Sequence, residues 1–433
     1  MKNINVALLG FGTVGSGVAE TIRKNGKLIE DSIGCHFTIT HVLVRHPEKY
    51  RDLEILKGVR VTSSFEDIMN DGSVEIVIEV MGGIHPAKEY IFEALNHHIS
   101  VVSANKDLVA LFGPEIMHTA MDNHVNFNCE ASVGGGIPIL RPLHDSLAAN
   151  EIERIVGIVN GTTNFILSNM DEAGVSYGDA LRVAQKKGYA EADPTNDVAG
   201  YDAARKLAIL ASIGFHANVT FDDVLVEGIE KISQNDVQYA SEMGYTIKLL
   251  AVALRQENGI ALNVYPAFVP RSHPLASVKG SYNAIYVTGN IVDDVMFYGR
   301  GAGSLPTASA VMGDVISTAK HIMNHSTGTG MMLTETKRIP FYSSLKLENS
   351  YYFRLIVDDV TGVLSQIASA YADNDISIKE VVQKSRIEDA AELMIITEKT
   401  PRENIIHVEK ALQVLPCMRQ VANIIRVLED DRK

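Results

Sequence analysis

The sequence predicts an α/β protein in three successive parts: a doubly wound parallel sheet, a central α+β region and a C-terminal βαββαβ unit. Three observations carry this. Short, near-continuous apolar strands alternate with helical patterns up to about residue 129, as in a sheet covered on both faces. From Glu130 glycines cluster and the pattern becomes longer helices followed by longer strands. After residue 348 the order is strand, helix, strand, strand, helix, strand.

Each element follows from its own pattern. Ile4–Leu9 reads as a strand and Thr13–Lys24 as the helix after it. Phe37–Val44, Glu75–Val80 and Ser100–Ser103 are further apolar strands, with a helix at Ala87–Asn96. The central part carries helices at Tyr177–Lys187 and Val198–Gly214, then strands at Ile247–Leu254, Ile260–Phe268 and Asn283–Thr288. The glycine-rich junction Gly299–Gly303 precedes a helix near Thr307–Met323, expected to pack back on the first sheet. The last unit is built from Tyr352–Val357, Val363–Asp373, Ile376–Lys384, Ala391–Thr397, Glu403–Gln413 and Arg419–Arg426, a ferredoxin-like arrangement. The domains expected are 1–129 plus 305–323, 130–304, a linker at 324–348 with the composition of His325–Gly330, and 349–433.

Bulk properties narrow the class. A chain of 433 residues has room for two or three domains. With 46% hydrophobic and 21% charged residues the composition is that of an ordinary globular protein. A net charge of -14 argues against nucleic acid or an anionic membrane as the main partner. No apolar run is long enough to cross a membrane. The opening apolar run passes at once into glycines, so it reads as a buried strand and not as a signal peptide. Cys35, Cys129 and Cys417 form no CxxC pair, which fits a reducing, cytoplasmic setting.

The loop Gly10-Phe11-Gly12-Thr13-Val14-Gly15 follows a strand and opens a helix. That context turns GxGxxG into a dinucleotide fingerprint. The first glycine makes the turn, the second admits the pyrophosphate to the backbone, and the third lets helix and strand pack closely. The helix N-terminus faces the phosphates with its unpaired N–H groups. The first sheet is therefore read as Rossmann-like, with a nicotinamide dinucleotide as cofactor. The second strand runs into Val44-Arg45-His46. An acid there would accept from a ribose 2′-hydroxyl, whereas Arg45 suits a 2′-phosphate, so NADP is favoured over NAD.

The densest chemistry lies in Gly188-Tyr189-Ala190-Glu191-Ala192-Asp193-Pro194-Thr195-Asn196-Asp197 and the helix after it. Asp197 is placed to cap that helix. Asp202 and Lys206 stand one turn apart with the acid first, at the margin of an apolar face made by Ala203, Leu207, Leu210 and Ala211. An ordinary surface ion pair is the plain reading. The other is a proton carrier, which a hydride enzyme needs at the alcohol oxygen. Lysine serves that role where desolvation or a neighbouring cation favours its neutral form. Lys106, in Ala104-Asn105-Lys106 just past a strand of the first sheet, is the candidate neighbour.

These segments resemble homoserine dehydrogenases over roughly residues 4 to 320. The anchors are Gly10–Gly15, Ala104-Asn105-Lys106, Glu130-Ala131-Ser132-Val133-Gly134-Gly135-Gly136-Ile137-Pro138, Gly161-Thr162-Thr163-Asn164, the stretch 188–207 and Gly299–Gly303. The resemblance implies reversible nicotinamide-dependent conversion of L-homoserine and L-aspartate 4-semialdehyde, in threonine, methionine and isoleucine biosynthesis. It implies Lys206 as proton carrier, Lys106 at the same site beside the cofactor contact Asn105, and Asp202 positioning substrate. It further implies Glu191 holding the substrate ammonium and Asp197 as another site acid, with Asp193 shaping the loop. Glu130, Val133, Gly135 and Ile137 match a structural monovalent-cation site, sodium or potassium, formed mostly by carbonyl oxygens.

The C-terminal unit resembles an ACT domain. Its loop matches Asp358-Asp359-Val360-Thr361-Gly362-Val363-Leu364. Asp359, Gly362 and Val363 are the effector contacts this implies, Asn374 a second contact, and threonine the natural effector. The whole then matches the short, monofunctional type of the family. A homodimer through the central domain is implied, extended to a homotetramer if the ACT units pair. Two competing readings are a related amino-acid or semialdehyde dehydrogenase, and a non-catalytic sensor of nucleotide and amino acid.

Overall fold

A computed structural model describes residues 2–326, 339–387 and 390–429. Of the expected linker 324–348, residues 327–338 lie outside the described residues. In chain order the elements begin β1 (Lys2–Leu9), α1 (Thr13–Ile33), β2 (Cys35–Leu43), β3 (Arg60–Thr62), α2 (Glu66–Met69), β4 (Ile76–Glu79), α3 (Ala87–Asn96), β5 (Ser100–Ser103), α4 (Lys106–Asp122) and β6 (Phe127–Asn128). There follow β7 (Ile152–Ile158), α5 (Gly161–Ala173), α6 (Tyr177–Lys186), α7 (Thr195–Val198), α8 (Tyr201–Gly214), β8 (Leu225–Val226), α9 (Gln234–Glu242), β9 (Tyr245–Gln256), β10 (Gly259–Pro270), β11 (Tyr282–Gly289), β12 (Asp293–Arg300) and α10 (Ser304–Met323). The last are β13 (Glu348–Asp358), α11 (Val363–Ala372), β14 (Ile378–Ile387), β15 (Ala390–Thr397), β16 (Thr400–Pro401), α12 (Arg402–Gln413) and β17 (Met418–Val427).

The chain packs as two compact units. The first comprises Met1–Ile155, Arg205–Asp223 and Asn283–Ile339. Its six-stranded sheet has the order β3-β2-β1-β4-β5-β6, all neighbours parallel. That is the Rossmann-like order, in which the connections reverse direction between β1 and β4 and leave a crevice at the strand carboxyl ends. The helix expected near Thr307–Met323 is α10, and it does pack on this sheet. Ala308, Val311, Met312, Val315 and Ala319 recur every three or four residues and share a core with Ile4, Val6, Leu8 and Val18.

The second unit comprises Val156–Ala204, Val224–Tyr282 and Pro340–Lys433. Its strands run in the order β9-β10-β17-β13-β15-β14. β17, β13, β15 and β14 are antiparallel neighbours, and with α11 and α12 they make the expected βαββαβ topology. Its core includes Phe353, Leu355, Ile367, Tyr371, Ile395, Val408 and Leu412. Parts of 130–304 and of 349–433 fall together in this unit. The physical reason is twofold. β17 adds in parallel to β10, with Ala267 beside Arg426. Arg354 of β13 also donates from Nε to Asp236 of α9 at 2.7 Å and from Nη1 to Glu392 at 3.0 Å, all three buried.

Two helix expectations change. α1 continues past Lys24 to Ile33, where Gly34, left-handed at φ 74°, ends it. The single helix expected at Val198–Gly214 is two, α7 and α8, split at Gly200 with φ 88°. A side chain at Gly200 would also press on Val226 and Val264, so glycine is required twice over.

Candidate active site

The nucleotide loop is built as its glycines demand. Gly10 has φ 105° and its N–H donates to the Leu43 carbonyl at 2.9 Å. A Cβ on Gly15 would overlap the Gly10 carbonyl oxygen. Gly12 is the N-cap of α1 and offers no side-chain cap, so the helix N-terminus keeps its N–H groups for an anion. Thr13 and Val14 form the first turn, and buried Phe11 meets Tyr50 edge-on with ring centroids 5.8 Å apart. Arg45 is exposed two residues beyond the end of β2. These residues fit a dinucleotide with its phosphates at Gly10–Gly15.

Across the crevice, β4 and β5 end in a polar network that sequence reasoning missed. Glu79 closes β4, fully buried. It accepts from Ser103 Oγ at 2.6 Å and from the Met81 and Gly82 N–H groups at 2.9 and 3.3 Å. Burial pushes its carboxyl up, and these donors pull it back. Ser103 Oγ in turn accepts from the Asn105 N–H at 3.1 Å. Asn105 caps α4, accepting from Leu108 N–H, and donates from Nδ2 to the Gly83 carbonyl at 2.6 Å. Glu79 therefore fixes the turn that presents half-buried Lys106, the first residue of α4. A lone acid closing an apolar strand was the signal available for it. Next to Lys106, Asp107 pairs with Arg205 of α8 at 3.3 Å, tying the start of α4 to the helix that carries Lys206.

In the second unit the acidic stretch is organised by a residue not singled out from sequence, Asn160. Its Nδ2 donates to Asp197 Oδ1 at 2.7 Å and to Asp202 Oδ2 at 2.9 Å. Its Oδ1 accepts from the Thr163 N–H, capping α5. One amide thus holds two carboxylates together, and Asp202 is 6% exposed. Asp197 does not cap the following helix as expected. It lies within the short α7, with Gly200 between it and α8. Asp193 shapes the loop, accepting from the Thr195 N–H and hydroxyl at 3.1 and 2.6 Å. Glu191 stands exposed on that loop, its carbonyl held by Gln185. Lys206 is half-buried, one turn along α8 from Asp202.

The expected cation segment is a buried turn in the first unit. The Glu130 carboxylate accepts from the N–H groups of Ile139, Leu140 and Arg141 at 2.6, 2.8 and 2.8 Å. The Glu130 N–H donates to Asp314, which pairs with Arg141. With that side chain engaged, main-chain oxygens of Glu130, Val133, Gly135 and Ile137 are the donors that would be left to hold a monovalent cation. In the C-terminal unit, Gly362 is left-handed at φ 90° and begins α11, beside Asp359 and buried Val363. Asn374 lies past the far end of the same ten-residue helix and donates to the Ala370 carbonyl. Within one chain the helix, about 15 Å long, keeps Asn374 apart from the loop at 359–363.

Hydride exchange with an alcohol needs a nucleotide platform and a group that moves the hydroxyl proton. A Rossmann-like sheet with its glycine loop, and lysines opening one helix and lining another, define the class of nicotinamide-dependent dehydrogenases. Comparison with known proteins gives the family. The family model for the homoserine dehydrogenase NAD-binding domain matches residues 10–130, and that for homoserine dehydrogenase matches 138–316. The chain is 40% identical to the homoserine dehydrogenase of Bacillus subtilis over 429 residues, 99% of either chain. A homoserine dehydrogenase structure from Thiobacillus denitrificans superposes with a TM-score of 0.93 at 38% identity, covering 99% of both chains. A hyperthermophilic archaeal homoserine dehydrogenase in complex with NADPH is 26% identical over 73% of this chain and 98% of its own, with a TM-score of 0.63. The chain belongs to the homoserine dehydrogenase family and is an oxidoreductase acting on a CH–OH group.

Proposed function

We propose that Lys206 moves the hydroxyl proton, with Asp202 and Asp197 orienting substrate and Glu191 taking its ammonium. The observation that carries this is the Asn160 clamp, which sets two carboxylates side by side with Lys206 one turn beyond. When bound, the nicotinamide accepts or returns the hydride at the substrate's terminal carbon. In oxidation the neutral amine form of Lys206 takes the proton from the terminal hydroxyl as the C–H bond electrons leave with the hydride, and the C–O bond becomes the aldehyde C=O. In reduction it returns that proton to the oxygen. Lys106, presented by the Glu79–Ser103–Asn105 network, adds a second cation in the same unit as Lys206. The test is homoserine-dependent NADP reduction. The wild type turns over, and Lys206→Ala loses about 10²- to 10⁴-fold in kcat while still binding cofactor. Full activity in that variant moves proton transfer elsewhere.

The finer assignments follow the same reading. NADP is the preferred cofactor because Arg45, not an acid, follows β2, and Arg45→Ala is expected to lower the NADP-to-NAD preference about tenfold. A sodium or potassium ion on the carbonyls of residues 130–137 has a structural role. Residues 1–129 with 305–323 bind the dinucleotide, 130–304 bind substrate and form the dimer, and 349–433 form an ACT regulatory domain. Threonine binds at Asp359, Gly362 and Val363, with Asn374 completing a site only from a second chain. Pairing of these units makes a homotetramer, which light scattering with and without threonine tests. Three buried free cysteines support a reducing, cytoplasmic setting.

A further inference from the structure

A cavity of about 440 Å³ in the second unit lies between α12, the Val421–Arg426 stretch of β17 and the loop after β8. Three cations line it, Lys231, Arg402 and Arg426, against two carboxylates, Glu227 and Glu409. Arg426 is 8% exposed, and its Nη1 donates to Glu227 at 2.8 Å. Its guanidinium carbon sits 4.2 Å from the Tyr265 ring centroid, which holds its plane. Only one of its five N–H donors is taken up by that carboxylate.

Arg402 differs. It opens α12 half-buried, and no ion pair to it exists among the described residues. Burial and the neighbouring Arg426 cation push its guanidinium below the ordinary range. Two guanidinium groups in one partly dry wall repel, and an anion between them turns that repulsion into charge-assisted hydrogen bonds. A further polar group lines the cavity. Tyr351 is 3% exposed, and its hydroxyl lies beside the Arg426 guanidinium and Asn349 without a hydrogen bond of good geometry among the described residues. The remaining lining is apolar, chiefly Ile405, Ile406 and Val421 on adjoining elements.

We propose that this cavity binds a small carboxylate- or phosphate-bearing anion with a short apolar body. Arg402, Lys231 and the Tyr351 hydroxyl hold the oxyanion, and Ile406 and Val421 cover the apolar part. Its lining includes no residue of the glycine loop or of residues 359–363. The loop that carries Glu227 and Lys231 is bonded to the acidic stretch, because the Ile229 N–H donates to the Val198 carbonyl of α7 at 2.9 Å.

The test is isothermal titration of the full chain with NADP saturating, so that the glycine loop is occupied. The probes are inorganic phosphate and isovalerate. Saturable binding of either one, weakened at least tenfold in Arg402→Gln and in Lys231→Gln, is the expected result, and the tighter probe identifies the head group. Unchanged homoserine turnover in both variants shows that they are folded. No saturable binding of either probe, or binding that Arg402→Gln leaves unchanged, overturns the proposal.

Discussion

Two carboxylate clusters in this chain follow opposite plans. Around Glu130 donors meet acceptors: three backbone N–H groups reach one carboxylate, and Asp314 takes the Glu130 N–H and the Arg141 guanidinium. Around Asp202 one Asn160 amide is divided between two carboxylates. The first arrangement resolves the unpaired groups of a chain turn, so its carboxylate oxygens are already engaged. The second concentrates negative charge beside a lysine. The lesson is that acid density alone does not mark a site; what matters is whether the backbone has already claimed the oxygens.

The comparison is broken most severely at Glu130. Glu130→Ala strands three N–H groups, two buried and one half-buried, and a buried one costs about 1–3 kcal/mol when left unsatisfied. A stability loss of about 3 kcal/mol or more is expected, read from the urea midpoint, with kcat per folded molecule nearly unchanged. A variant of normal stability with reduced kcat would show that this cluster is catalytic after all.

Asn160 tests the other plan. A hydrogen bond to a charged group contributes about 1.5–3 kcal/mol, so Asn160→Ala is expected to lower kcat/KM for homoserine about ten- to a hundredfold. Its stability loss is smaller, about 1 kcal/mol, from the missing helix cap. NADP affinity, measured by fluorescence titration, should stay within twofold. Equal damage to cofactor binding would mean that Asn160 supports the fold generally.

How legible each plan was depends on the range of its contacts. β1, β9, β10, β13 and β15 were readable because apolar runs report burial directly. α1 runs on past Lys24 through Asn25-Gly26 to its left-handed cap at Gly34. β12 escaped because none of its residues is buried, its Val295–Tyr298 run lying half-buried or exposed between polar ends. Asp202 and Lys206 were legible because both lie on one turn of helix. Asn160 was not, because its partners lie 37 and 42 residues away and only the fold brings them together. Glu79 was hidden for the same reason, 24 residues from Ser103.

The smallest effect sharpens the comparison from the cation side. Lys248 is 2% exposed, and its ammonium donates to Asn164 Oδ1 at 3.1 Å and to the Val278 carbonyl at 2.6 Å, both neutral acceptors. Burial lowers its pKa to about 8, against an attraction from Asp171 that is too weak to restore it. A lysine depressed in the folded state binds fewer protons there than in the unfolded chain between about pH 8 and its ordinary value near 10.5. Stability therefore rises with pH across that window, by up to about 1.4 kcal/mol per pH unit. Urea midpoints at pH 8 and 10 should differ in that direction more for the wild type than for Lys248→Met. An identical pH slope in the two proteins would show that Lys248 remains protonated throughout.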